Sequence, residues 1–254
     1  MITVSRLQVS PVKGLALVPR HEVRLDTDGV AEDRRVFLLR ANATVATIRR
    51  FPTLLGVTPD LDLDAGALTV TFPDGHTVTS DLAAVGQDAS ARLFGKDRHG
   101  RVLPGAVADA LSDYVGEPLR VVLADRTGVG WDEGPVSLIG QASVAAVETP
   151  QVPDGSGSAR YRMLIEVGGT EPYEEDSWVD RDVRVGEAQL TITQALERCV
   201  VITYSPRDGG KDWAGLQALA DHGRGQLTLG VIASVGAPGM VRVGDPVEVG
   251  SRRP

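Results

Sequence analysis

A chain of 254 residues and 26.9 kDa has room for one large all-β unit or two small domains. Its 42% hydrophobic and 24% charged content excludes disordered and fibrous classes, and its net charge of −8 excludes general adhesion to nucleic acid or anionic membrane. The single cysteine, Cys199, excludes an intramolecular disulfide and an all-cysteine zinc or iron–sulfur site.

No apolar run approaches the ~20 residues that a spanning helix needs. The segment Met1 to Gly14 carries Arg6, Gln8 and Lys13 and lacks a signal-peptide core. The expectation is a cytoplasmic protein without membrane or nucleic-acid partners. Aromatic residues are only 4%, so the core must be built from Val, Leu, Ile and Ala.

In chain order, Val18 to Leu25 and Val36 to Leu39 read as strands between turn residues. The clearest β signal is Ala67 to Thr79, where Leu68, Val70 and Phe72 alternate with threonines before a Pro73-Asp74-Gly75 turn. Val107, Ala110, Leu111, Tyr114 and Val115 share one face of a helix that Gly116 and Pro118 end. Val121 to Ala124 is the next predicted strand, and Asp125 to Gly134 reads as a surface loop. Gln141 to Glu148 is a short helix, and Gln151 to Ala159 a second loop rich in Gly, Ser and Pro. Tyr161 to Val167, Ala188 to Thr193 and Val200 to Tyr204 read as strands, Trp213 to His222 as a helix. Met240 to Val243 and Val247 to Val249 close the chain around a Gly-Asp-Pro turn. Many short strands punctuated by Gly and Pro predict a mostly β (α+β) fold of barrels with a few short helices. A domain boundary is expected near residue 95, giving units 1–95 and 96–254.

The glycine motifs around Gly128 and Gly209 lack the spacing of nucleotide loops, and the four histidines are scattered without metal-ligand spacing. Glu174-Glu175-Asp176 reads as a solvated acidic run. Cys199 enters an apolar stretch, where a lone cysteine is commonly a small buried hydrophobe. The adjacent Arg198 would favour a thiolate if the two side chains meet, and a thiolate could serve as a nucleophile, carry a persulfide or ligate a soft metal. Lys13, Arg34, Arg35, Arg49, Arg50, Arg160 and Arg162 all fall at ends of predicted strands. They can form either a solvated rim or a socket for a phosphorylated ligand.

Taken in order, a series of blocks resembles the MOSC family, specifically its two-domain members with an N-terminal β-barrel, such as the amidoxime-reducing components. The blocks are Pro11-Val12-Lys13-Gly14, Asp33-Arg34, Thr47 to Leu54, Leu138 to Ser143, Tyr161-Arg162, Pro172 to Trp178, Arg198 to Val201 and Val241 to Val247. The resemblance implies a molybdenum cofactor, with Cys199 as the protein ligand to the metal. It also implies that Lys13, Arg34, Arg49, Ser143 and Arg162 hold the pterin and its phosphate. The implied activity is reduction of a small N-hydroxylated or related N–O or S–O substrate. Electrons would come from a separate donor of the ferredoxin, flavodoxin or cytochrome type, since this chain has no other cysteines for a cluster.

The sequence departs from the family pattern at Ser10, Val36, Gly140, Met163 and Leu164. Gly140 replaces a pterin-side hydroxyl, and Met163-Leu164 replaces a Pro-Asn pair. Two other readings therefore stand beside the reductase. One is a sulfur- or cofactor-carrier module that uses Cys199. The other is a biosynthetic or binding protein that kept the barrel and lost molybdenum.

Overall fold

The computed structural model describes residues 1–93, 95–148, 157–222 and 227–252. The chain opens with strands β1 (Thr3–Val9), β2 (Val18–Arg20) and β3 (Glu22–Leu25). It continues with β4 (Val36–Arg40), β5 (Thr58–Asp62), β6 (Ala67–Thr71), β7 (Thr77–Asp81), β8 (Asp88–Leu93), β9 (Lys96–Leu103), helix α1 (Ala106–Val115) and β10 (Leu119–Ala124). Next come β11 (Val136–Gly140), α2 (Gln141–Val147), β12 (Ile165–Gly168), β13 (Arg181–Val185) and β14 (Ala188–Glu197). Helix α3 (Gly215–Asp221), β15 (Thr228–Ala237), β16 (Gly239–Arg242) and β17 (Val247–Arg252) complete it. The fold is mostly β, as its composition predicts, with three short α-helices among the described residues.

The chain order is not the order of the sheets. An eight-stranded sheet runs β17-β13-β14-β15-β11-β12-β1-β2, and β3 pairs with β16 beside it. The first 25 residues are thus built into the same sheets as the C-terminal strands. Their inward side chains Val4, Leu7, Val9, Val23 and Leu25 share a core with Leu138, Ile165, Val183, Leu190 and Val231. The intervening chain makes a four-stranded sheet, β4-β10-β9-β8, and a three-stranded sheet, β5-β6-β7. Around Leu38, Leu54, Leu68, Val70 and Val121 these enclose a second core, sealed by Val107 and Leu111 of α1. Residue 95 lies in the turn of the β8–β9 hairpin, where Leu93 pairs with Lys96, and β9 pairs onward with β10.

Strand β14 carries the chain to the site. Its register against β15 shifts between Ile192 and Gln194 and again between Ala195 and Glu197. Such bulges bend a strand and re-aim its side chains, and they deliver Glu197, Arg198 and Cys199 to the sheet's end.

Two predicted strands are corrected. Val200–Thr203 forms a 3-10 turn with Cys199 as its N-cap, and only Ile202 is buried in it. Tyr161 ends another 3-10 turn (Gly157–Tyr161), and β12 begins only at Ile165. Arg162, at φ 56°, stands between them in the left-handed region and breaks the extended run. Of the loop predicted over Gln151 to Ala159, residues 151–156 lie outside the described residues.

Candidate functional site: a cationic cavity beside an exposed thiol

A cavity of about 570 Å³ is lined chiefly by six segments, residues 13–14, 33–34, 46–49, 131–135, 161–164 and 196–202. Lys13, Arg34, Arg49, Arg162 and Cys199, drawn from five separate places in the sequence, all line it. Met163, Leu164, Leu196, Ile202 and Ile232 provide its apolar wall.

Each cation is held differently. The Lys13 ammonium is buried and donates to the Asp132 carboxylate at 2.6 Å and to the Gly130 carbonyl at 3.0 Å. Burial pulls its pKa down to about 8; Asp132 opposes this, while Arg34 and Arg98 add to it. Arg34 sits at φ 51° and pairs with Asp33, whose other oxygen accepts the Ser10 amide at 2.7 Å. Burial works against the Arg34 charge, but Asp33 and Asp132 overcome it and the net shift is upward.

Arg162 has no carboxylate partner among the described residues. It donates to the Ser10 hydroxyl at 2.8 Å and to the Leu15 carbonyl at 2.7 Å, two neutral acceptors. Burial, with help from Arg34, pushes its pKa down to about 9. Arg198 is similar: it donates to the Tyr161 carbonyl and to the Met163 sulfur, and lies 5.5 Å over the Tyr161 ring. Burial brings it down to about 10 against the opposing pull of Cys199 and Tyr161, and its Nε has no hydrogen-bond partner. Arg49 is exposed and makes no ion pair or hydrogen bond among the described residues. At neutral pH Arg34, Arg162 and Arg198 keep their charge.

A buried cation left without an anion is costly unless a ligand supplies one. Among the described residues, Arg49, Arg162 and Arg198 line the cavity without an ion pair to a carboxylate. Cys199 is exposed on the same wall, which corrects the expectation of an apolar strand around it.

Ser143 is not in the cavity. Its buried hydroxyl donates to Glu175 at 2.7 Å and accepts the Tyr173 amide at 2.7 Å. Glu175, in a run that the sequence suggested was solvated, is fully buried and also accepts the Gly140 amide at 3.1 Å. Gly140 is packed against this carboxylate rather than facing the cavity. A Cβ there would lie 2.8 Å from Glu175 Oε2 and 2.9 Å from Thr170 Oγ1, so a side chain at this position would require those groups to shift.

Arg160 is structural. Its side chain is wholly buried, donates to the Ile202 and Tyr204 carbonyls at 3.3 and 2.8 Å, and pairs with Asp212 at 2.8 Å. The role of Asp132 was hidden in the sequence, because the Gly-rich segment Asp125 to Gly134 looks like an ordinary surface loop. That loop is tied down by cations from the smaller sheets. Arg98 donates to the Val129 carbonyl and to the Trp131 carbonyl at 2.6 Å, and Lys96 to the Asp132 carbonyl at 2.9 Å. Gly130 lets the loop approach: a Cβ there would stand 1.9 Å from the Arg34 carbonyl oxygen.

The cavity can thus hold an anion by its arginines and offer a soft sulfur ligand beside it. Comparison with known proteins identifies the family. Residues 1–118 match the MOSC N-terminal beta barrel domain, and residues 125–248 match the MOSC domain. No curated protein matches the sequence. Among solved structures, the YuaD protein from Bacillus subtilis is similar over 100% of this chain and 98% of its own, at 14% identity and a TM-score of 0.47. YiiM from Escherichia coli is similar over 47% of this chain and 55% of its own, at 21% identity and a TM-score of 0.35.

Proposed function

From the premise that this chain belongs to the MOSC family, with its N-terminal β-barrel domain, we propose that the cavity holds a molybdenum cofactor for reduction of small N–O or S–O substrates. Related proteins of the family bind that cofactor. The observation that carries the reading is the convergence of Arg49, Arg162 and Arg198, none of them paired with an acid among the described residues, on the cavity wall that exposes Cys199.

The donor set suits the group. Arg162 and Arg49, with Lys13 and Arg34, would hold the anionic pterin phosphate, since guanidinium groups bind phosphate with directed, charge-assisted hydrogen bonds. Cys199 would give the metal a thiolate, a soft donor for a soft ion. Bound there, molybdenum supplies two-electron removal of oxygen from the substrate. The chain's part is to keep the cation wall dry, to pack the substrate's apolar face against Met163, Leu164 and Ile232, and to keep Arg198 beside the sulfur. The net reaction breaks one N–O bond, consumes two electrons and two protons, and releases water. The electrons must come from a separate donor.

Metal analysis tests this directly. Protein made in a host that synthesises the cofactor is expected to carry close to one molybdenum per chain and to release a fluorescent oxidised pterin. Absence of both would overturn the reading. The exposure of Cys199 beside a cation also supports a second reading, transient carriage of sulfur as a persulfide. Its signature is a mass gain of one sulfur on Cys199 after treatment with a persulfide donor.

A further inference from the structure

The cation wall is not empty of negative charge. The Asp132 carboxylate reaches into it and takes the Lys13 ammonium at 2.6 Å. Asp132 lines the cavity, and beyond Lys13 its charge also favours the charged forms of Arg34, Arg98 and Arg162. These cations in turn hold its own pKa below the usual carboxylate range, although burial pulls the other way.

The way Asp132 is mounted matters. The backbone of its loop is fixed at three carbonyls, Val129 and Trp131 by Arg98 and Asp132 by Lys96. Its side chain is not fixed in this way. That side chain is 45% exposed, and among the described residues its one hydrogen bond is the one from Lys13. The carboxylate can therefore turn to solvent by side-chain rotation while the loop stays in place. Lys13 would keep the Gly130 carbonyl as an acceptor throughout.

We propose that Asp132 is a built-in stand-in anion, which occupies Lys13 in the free protein and gives it up to the phosphate of an incoming ligand. This rests on the reading of the cavity as an anion socket and adds its regulation. Without Asp132, the Arg34 charge would act against Lys13 and Arg162 with Asp33 as its one carboxylate partner among the described residues. With Asp132 in place, the charge is partly neutralised, and only an anion that gains more from the arginines than Asp132 gives to Lys13 displaces it.

The test uses the cofactor-free full-length protein and two simple anions, sulfate and nitrate, with binding followed by calorimetry. A displaced side chain costs every ligand the same free energy. Asp132→Asn is therefore expected to tighten sulfate and nitrate by a common factor of about tenfold, the scale of one charge-assisted hydrogen bond. Asp132→Ala should give the same factor, so a local effect of the new amide cannot imitate the result. Adding Lys13→Met to Asp132→Asn should abolish the gain. A gain much larger for the dianion would mean that Asp132 stays put and repels, which overturns the proposal. Unchanged affinities in both Asp132 variants would overturn it as well, with the socket intact. If no protein in the series binds either anion, the socket itself fails, and the cofactor reading with it.

Discussion

Burial sets the Lys13 ammonium to lose its proton near pH 8, whereas an unfolded chain keeps it to about 10.4. Between those values the unfolded state binds more protons than the native one, so stability gains with rising pH. The contribution is fully present above the unfolded value and is lost as pH falls through 8. Removing the group isolates the effect from Arg162, whose pKa is lowered in the same direction. The unfolding free energy of the natural protein minus that of Lys13→Met is expected to climb between pH 8 and 10, as read from urea unfolding at a series of pH values. A flat difference would place the ammonium in water. Cys199 is the opposite case. Because it is exposed, Cys199→Ser should change stability by less than ~1 kcal/mol, the usual range for surface positions. Its molybdenum content should nonetheless fall sharply, because a hard hydroxyl replaces a soft thiolate. A variant that keeps full metal would remove Cys199 from the site. These residues differ in how far the sequence reveals them. Lys13, Arg34, Arg49, Arg162 and Cys199 stood out as charge or sulfur at element ends. Ser10, Asp132 and Glu175 did not, because their roles depend on partners more than 20 residues away: Arg162, Lys13 and Ser143.

At the scale of elements, one side chain decides the shape of two turns. Arg160, at the end of the 157–161 turn, binds the Ile202 and Tyr204 carbonyls and the Asp212 carboxylate, and stacks 5.5 Å from the Trp213 ring. The run Val200 to Tyr204 has the composition of a strand, yet its Ile202 and Tyr204 carbonyls are taken by this guanidinium, while the Val201 carbonyl accepts the Tyr204 amide within the turn. Tertiary capture overrides propensity. Arg160→Met should therefore destabilise the protein by about 3 kcal/mol or more, since it leaves Asp212 and two carbonyls without their donor. The melting temperature measures it, and a loss within the surface range would mean that the turn does not depend on Arg160. The loop carrying Asp132 makes a similar claim through Gly130. Gly130→Ala forces a methyl against the Arg34 carbonyl, so it should both lower the melting temperature and loosen the Lys13 contact. The hairpin of β6 and β7 was legible because it alternates apolar and polar residues. The β8–β9 hairpin was not, since Asp88 to Leu103 is mostly charged and small. β15 was missed as well. It is an apolar run interrupted by Gly230 and Gly236, and its strand character comes from pairing with β11 and β14 on either side.

At the scale of the molecule, the register of β4 and β10 has a consequence for architecture. Val36 pairs with Leu123 in the antiparallel ladder, so the chain leaves and re-enters the larger unit at adjacent points. Everything between them, β5 to β9 and α1, behaves topologically as an insertion whose ends meet, an arrangement that chains tolerate well. The first 25 residues, by contrast, are integral to the larger unit. β12 pairs with β1 and β16 with β3. Without residues 1–30 the core loses Val4, Leu7, Val9, Val23, Leu25 and Val30. At ~1.5–3 kcal/mol for each buried aliphatic side chain, that loss is about as large as the ~5–15 kcal/mol that holds a typical domain together. Two truncations should therefore behave in opposite ways. Residues 125–252 alone are expected to show no cooperative melt. A chain in which residues 37–122 are replaced by a short Gly-Ser linker should still unfold in a single transition. Its midpoint should be lower, because Val12 and Leu15 lose the second core they pack into. It should also bind anions more weakly, having lost Arg49 from the cavity wall. Circular dichroism melts of both proteins decide the matter. A sigmoidal melt from 125–252, or none from the linked chain, would show that the two units fold as the sequence order divides them, and not as the sheets do.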